Sequence, residues 1–145
     1  MASQTYDFVK QFKQKYPLTV AWRLNKHCKI VDTHLNPDEC IRYAFCAQKN
    51  NSIFDIISSN VVVLTNKRLI IASKRVLWGY FYLSITPDLF NDLSIYQGLI
   101  WGRVKIDTVK ELVILSNVDP NALQEIETQI STFMIKEKRK YSNQC

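Results

Sequence analysis

The spacing of apolar and polar residues changes character twice along the chain. Residues 3–16 place Phe8, Val9 and Phe12 at helical spacing behind a candidate N-cap at Ser3, which predicts a short amphipathic helix interrupted by Pro17. From Leu18 the apolar positions Leu18, Ala21, Leu24, Cys28, Val31 and Leu35 recur by threes and fours. That spacing predicts a second helix with Arg23, Lys26 and Lys29 on its opposite face. Two helices this short are marginal alone and are expected to pack against the rest of the chain. After the turn signal Asn36-Pro37-Asp38-Glu39 the period drops to two. Ile41, Tyr43 and Phe45 alternate with Arg42, Ala44 and Cys46 in a first strand. Segments 61–65 and 68–73 read as a hairpin around Asn66-Lys67, and further strands are predicted over 79–85, 93–97, 100–107 and 111–116. Seven short strands joined mostly by short turns predict an antiparallel barrel or sandwich.

The period then returns to helical. Asp119 is placed to cap, Pro120 suits the first helical position, and Val118 and Leu123 are spaced for a hydrophobic staple. Leu123, Ile126, Ile130, Phe133 and Met134 form one apolar face, and Lys136, Lys138, Arg139 and Lys140 come after it, where cations complement the helix dipole. This helix is expected to cover an open end or face of the strands. The expected organisation is a helical extension over 1–35, a β-rich domain over 36–140, and a frayed tail over 141–145.

The order of seven antiparallel strands and one capping helix resembles pleckstrin-homology (PH) domains, and local sequence resembles their bacterial branch. Val62-Val63-Leu64-Thr65-Asn66-Lys67-Arg68-Leu69-Ile70-Ile71-Ala72 is similar to that family's second-strand hairpin, an apolar run, Thr-Asn-Lys/Arg-Arg, and a second apolar run. Ile85-Thr86-Pro87-Asp88, Gly98-Leu99-Ile100-Trp101-Gly102 and Val104-Lys105-Ile106-Asp107-Thr108 resemble its later strands. The resemblance covers about residues 36–135. It implies an α+β, mainly β fold, a seven-stranded barrel or roll capped by a C-terminal helix. It also implies a non-enzymatic module for protein interaction or self-association, and leaves 1–35 outside the shared pattern. PH domains that bind phosphoinositides cluster Lys and Arg in the loop between their first two strands. Here that loop, about 48–55, offers Lys49 followed by Asn50, Asn51 and Ser52, which is no phosphoinositide clamp.

Composition narrows the picture. The chain has 145 residues, 47% hydrophobic and 22% charged, with only 3 glycines and 4 prolines, so one compact domain without linkers is expected. Nineteen basic and 13 acidic residues give a net charge of +6, of which residues 1–35 carry 6 basic and 2 acidic. The start lacks the apolar run of a signal peptide, and no stretch approaches a membrane span. Cys28, Cys40, Cys46 and Cys145 lie outside metal-binding or redox spacings and read as free thiols in a reducing cytoplasm, most of them apolar fillers.

Catalytic and nucleotide signatures such as GxSxG, HExxH, GxxxxGK[ST] and GxGxxG are absent. His27 and His34, seven residues apart with Asp32, Asp38 and Glu39 nearby, are the one conceivable metal or acid–base cluster; a half-buried helix face is the plainer reading. No cofactor or metal is expected, and nucleic acid and small-molecule substrates are disfavoured as partners. Lys67, Arg68, Lys74, Arg75, Arg103 and Lys105 are candidate anion or partner contacts, against the plainer reading of polar hairpin chemistry and edge protection. Trp78-Gly79 and Trp101-Gly102 are candidate interface aromatics, against the plainer reading of indoles covering the barrel beside bends at glycine. The leading expectation is a cytoplasmic module that binds a protein or itself. The alternative is peripheral attachment to an anionic membrane through Lys10, Lys13, Lys15, Arg23, Lys26 and Lys29 with the hairpin basics. Burial of the stripe on the second helix would make the extension a structural cover, and exposure would make it an interface.

Overall fold

A computed structural model describes residues 3–49, 59–75 and 78–142. Much of the loop compared above with the phosphoinositide-binding loop, and Cys145, fall outside them. The first helix, α1 (Gln4–Lys15), starts where expected: the Ser3 hydroxyl accepts the Tyr6 N–H at 3.0 Å. The second, α2 (Leu24–His34), begins six residues later than the periodicity predicts. Residues 19–22 form no helix, because their backbone is held by distant partners. The Val20 N–H donates to the Asn117 carbonyl at 2.9 Å, and the Trp22 N–H to the Ser59 hydroxyl at 2.8 Å. Arg23 then adopts left-handed φ 55°, which a right-handed helix does not accommodate in its interior. Leu18 is consequently exposed, while Cys28 and Val31 are fully buried.

Seven strands come next: β1 (Ile41–Gln48), β2 (Ser59–Thr65), β3 (Leu69–Lys74), β4 (Tyr80–Ile85), β5 (Phe90–Gln97), β6 (Gly102–Thr108) and β7 (Leu112–Val118). All observed pairings are antiparallel, in the order β4-β3-β2-β1-β7-β6-β5. The two halves of this roll join at one described pair, Gln48 with Ser116, and β4 and β5 form its edges. A 3-10 turn at Pro120–Ala122, capped by the Asp119 carboxylate accepting the Asn121 N–H, leads into α3 (Leu123–Ser142). Leu123, Ile126, Ile130 and Met134 are buried in the core, as the apolar stripe requires. Gly102 permits the entry: a Cβ there would lie 2.5 Å from the Leu123 side chain.

The extension explains why the first strands lose their alternation. β2 is buried at every position and β3 at its first four, the pattern of a sheet covered on both faces. α1 packs on β1, α2 packs on β3 and β2, and the two helices pack on each other. Phe12 meets Tyr43 and Phe45 with ring centroids 6.4 and 5.8 Å apart, and the Ser3 and Thr5 hydroxyls donate to Asp32, joining α1 to α2. Val9, Phe12, Cys28 and Val31 belong to the same core cluster as the barrel. Burying each large apolar side chain contributes roughly 1.5–3 kcal/mol, so the extension is a structural cover.

Candidate functional site

Residues 17–23 form a strap across one end of the roll. The Leu18 N–H donates to the Asp119 carboxylate at 3.3 Å, the Asp119 N–H to the Thr19 hydroxyl at 2.9 Å, and the Gln48 side-chain amide to the Val20 carbonyl at 2.9 Å. The Trp101 indole N–H donates to the Leu18 carbonyl at 2.7 Å, and the Arg23 guanidinium to the Lys74 carbonyl at 3.3 Å. The strap therefore bridges the β5–β6 hairpin at one side and the β3–β4 connection at the other.

Both connections and the strap present apolar side chains to solvent. Leu99 is 101% exposed, Trp78 78%, Trp22 56%, Ile100 55% and Leu18 54%. The β5–β6 turn is closed by the Gly98 N–H donating to the Trp101 carbonyl at 3.0 Å. A Cβ on Gly98 would lie 2.7 Å from that same carbonyl oxygen, so only glycine lets Leu99 and Ile100 project from so tight a turn. Arg23, Lys26, Lys74 and Arg75 belong to these segments, and none of the described residues in 17–26, 74–80 and 96–103 is acidic. Asp119, the carboxylate that bonds the strap, is buried.

The predicted basic residues do not form one patch. Arg68 is consumed internally: its Nε and Nη2 donate to the two Glu39 carboxylate oxygens at 2.9 and 3.0 Å, Nη1 to the Tyr82 hydroxyl at 2.7 Å and to Ser84, and Nη2 to the His34 carbonyl at 2.9 Å. The Glu39 side chain is wholly buried. Burial alone would raise its pKa, but hydrogen bonds from Arg68, the Thr65 hydroxyl and the Asn36 N–H outweigh that and hold it down at about 2. Lys67 pairs with Asp38. Arg68 thus holds the end of α2 and the chain after it onto the β2–β3 turn and is not presented to a ligand, while the Lys67–Asp38 pair lies at the surface. Lys74 and Arg75 lie at the opposite end of β3 and are exposed, beside the strap. Arg103 and Lys105 border a separate cavity of about 310 Å³ with Tyr96 and Ile114 on the second half of the roll.

The aromatic and membrane expectations need correction in detail. Trp78 stands out in solvent and does not cover the barrel, whereas Trp101 is half-buried against the strap. Of the basic residues proposed for membrane contact, Lys13 donates to the Pro17 and Thr19 carbonyls and Lys15 pairs with Glu125; Arg23 and Lys26 remain at the strap end. Cys40 is exposed rather than a core filler.

The histidines do separate structural work. His27 is buried, and its Nδ1 accepts the Lys74 N–H at 2.8 Å. Burial lowers its pKa to about 4, with the Trp22 backbone opposing in part and the Arg23 charge adding to the drop. His34 stacks on Tyr82 with centroids 4.0 Å apart, and its Nδ1 lies 2.7 Å from the Ile30 carbonyl. Asp32, Asp38 and Glu39 have the other partners named above, and among the described residues no three His, Cys, Asp or Glu side chains gather as a metal site.

The strap surface is not evident from sequence. Leu18 fits a buried stripe there, and Ile100 fits the start of a strand. The available signal is Gly98 and Gly102 enclosing an apolar tripeptide, which marks a tight loop with nowhere to bury its tip.

The sequence matches no curated protein. A crystal structure of a pleckstrin homology domain from Shewanella amazonensis SB2B is similar at 15% sequence identity and a TM-score of 0.44, covering 71% of this chain and 79% of that one. The family model described as Bacterial PH domain matches residues 35–132, more than half of the chain and the part that comes after α2. With its strand order, capping helix and hairpin motif, the chain belongs to the bacterial PH domain family.

Proposed function

We propose that this chain is a non-catalytic binding module that docks peripherally on an anionic membrane surface through the strap end. One observation carries the reading: Leu18, Trp22, Trp78, Leu99 and Ile100 are exposed together with Arg23, Lys26, Lys74 and Arg75, without a carboxylate among the described residues of those segments. Tryptophan and basic side chains suit the headgroup region, where the indole buries its apolar body and the cation meets lipid phosphate. Each basic residue near an anionic leaflet contributes about 1 kcal/mol, and shallow insertion of Leu99 and Trp78 would add apolar burial to that attraction. No helix among the described residues is long and apolar enough to cross a membrane. Binding to a protein partner or a second copy, the leading expectation from sequence, draws on an amphipathic extension whose stripe is mostly covered within the chain.

Vesicle co-sedimentation tests the proposal, using phosphatidylcholine alone and phosphatidylcholine mixed with phosphatidylglycerol across a salt series. Binding should require the anionic lipid, weaken with salt, and fall in the Trp78→Ser/Leu99→Ser double variant. Binding indifferent to lipid charge, or intact in the double variant, overturns it. If light scattering instead finds a dimer that this variant disrupts, while vesicles stay unbound, the same surface is a protein interface.

A further inference from the structure

A second surface, away from the strap, has the features of a ligand site. β1 and β2 pair Ile41 with Thr65 but Tyr43 with Leu64, so Arg42 is the extra residue of a β-bulge. Bulges re-aim a side chain out of the regular pleat. Arg42 borders a cavity of about 340 Å³ between the β1–β2 hairpin and α3, a volume within the range of small-molecule sites. The opposite wall is one stripe of α3, Thr128, Thr132 and Lys136 at four-residue spacing, with Phe133 and the buried Leu64 as apolar lining. Arg42 and Lys136 make no hydrogen bond or ion pair with the described residues. The acid in this cavity, Glu137, is already paired with Lys140 at 3.0 Å.

We propose that this groove binds a small organic phosphate monoester, with the phosphate between Arg42 and Lys136 and its carbon portion against Phe133 and Leu64. The donor set fits that chemistry. A guanidinium fork and an ammonium from facing walls offer only donors, the two threonine hydroxyls can add more, and a dianion with several acceptor oxygens can use them together. The apolar lining gives an ester an advantage over the bare ion. None of these residues belongs to the strap, so the site is independent of membrane docking.

Phenyl phosphate and inorganic phosphate are suitable probes for titration calorimetry at low ionic strength, with amide chemical-shift mapping as the second measurement. Phenyl phosphate should bind saturably and more tightly than inorganic phosphate, with shifts concentrated around residues 42, 64 and 128–136. Arg42→Gln and Lys136→Gln, both at exposed side chains, should keep the wild-type melting temperature and each weaken binding about tenfold, the worth of one charge-assisted hydrogen bond. Arg23→Gln should leave binding unchanged. Absence of saturable binding, shifts centred elsewhere, full affinity in both groove variants, or equal weakening by Arg23→Gln would each overturn the proposal.

Discussion

The two ends of β3 carry the same pair of residue types, Lys67-Arg68 before it and Lys74-Arg75 at its close, and the fold treats them oppositely. At the first end Arg68 meets the buried Glu39 carboxylate and further acceptors on His34, Tyr82 and Ser84. The arginine there fastens the extension to the barrel. At the second end the described neighbours offer a backbone carbonyl, two tryptophans and more cations, and no carboxylate. Basic residues become structural where the chain supplies a buried acid, and remain available for an outside anion where it does not. The difference arises from a residue 29 positions earlier, not from the dipeptides themselves.

The sharpest way to break this contrast is to remove each arginine. Arg68→Ala leaves the Glu39 carboxylate buried without its bidentate partner, and urea denaturation should show a loss of about 3–5 kcal/mol. Arg75→Ala and Lys74→Ala, at exposed side chains, should each change stability by less than about 0.5 kcal/mol. Adding Glu39→Gln to Arg68→Ala should recover part of the loss, because the uncompensated charge disappears. Equal destabilisation at the two ends would mean that the clamp is no stronger than a surface ion pair.

The same two ends should titrate in different windows. His27, which holds the Lys74 N–H, has its pKa depressed to about 4 from an ordinary 6.5. The folded protein therefore binds fewer protons there than the unfolded chain. This contribution is fully present above about pH 6.5 and is lost as the pH falls towards 4. Glu39 is depressed to about 2 from 4.5, so its contribution survives to about pH 4.5 and is lost only below that. Melting temperature against pH should fall in two stages. His27→Asn, which keeps an acceptor for the Lys74 N–H and does not titrate, should flatten the first stage and leave the second. An unchanged first stage in that variant would assign it to other groups.

Much of the framework was legible in sequence because it rests on local pattern. Ser3 and Asp119 cap where their spacing says, the Asn66-Lys67 turn joins two paired strands, and the stripe Leu123, Ile126, Ile130 and Met134 is buried. The failures come from long-range partners. Leu18 and Ala21 fit a helical stripe, yet Asn117, Ser59 and Gln48 supply hydrogen bonds that keep residues 19–22 out of a helix, and nothing local announces them. Arg68 looks available in sequence because Glu39 is distant along the chain. Trp78 reads as a cover for the barrel, and only the folded chain reveals that the extension covers the first sheet's outer face while Trp78 stays outside. The candidate membrane surface combines three such segments, so no single motif could have disclosed it.

The finest test separates fold from function at one residue. Arg23 holds the left-handed conformation where the strap turns into α2, a geometry that costs an L-residue roughly 1–2 kcal/mol and glycine almost nothing. Arg23→Gly relieves that strain, but loses the 3.3 Å bond to the Lys74 carbonyl and gives the unfolded chain more freedom. These terms oppose one another, so stability in urea should stay within about 1 kcal/mol of wild type. Vesicle binding should nonetheless fall about fivefold, since one basic residue near an anionic leaflet is worth about 1 kcal/mol. Arg23→Lys keeps the charge together with the strained backbone and should bind as wild type does. A large stability loss in Arg23→Gly would show that the guanidinium anchors the strap, moving Arg23 into the same class as Arg68 and leaving Lys26, Lys74 and Arg75 as the cations at that end.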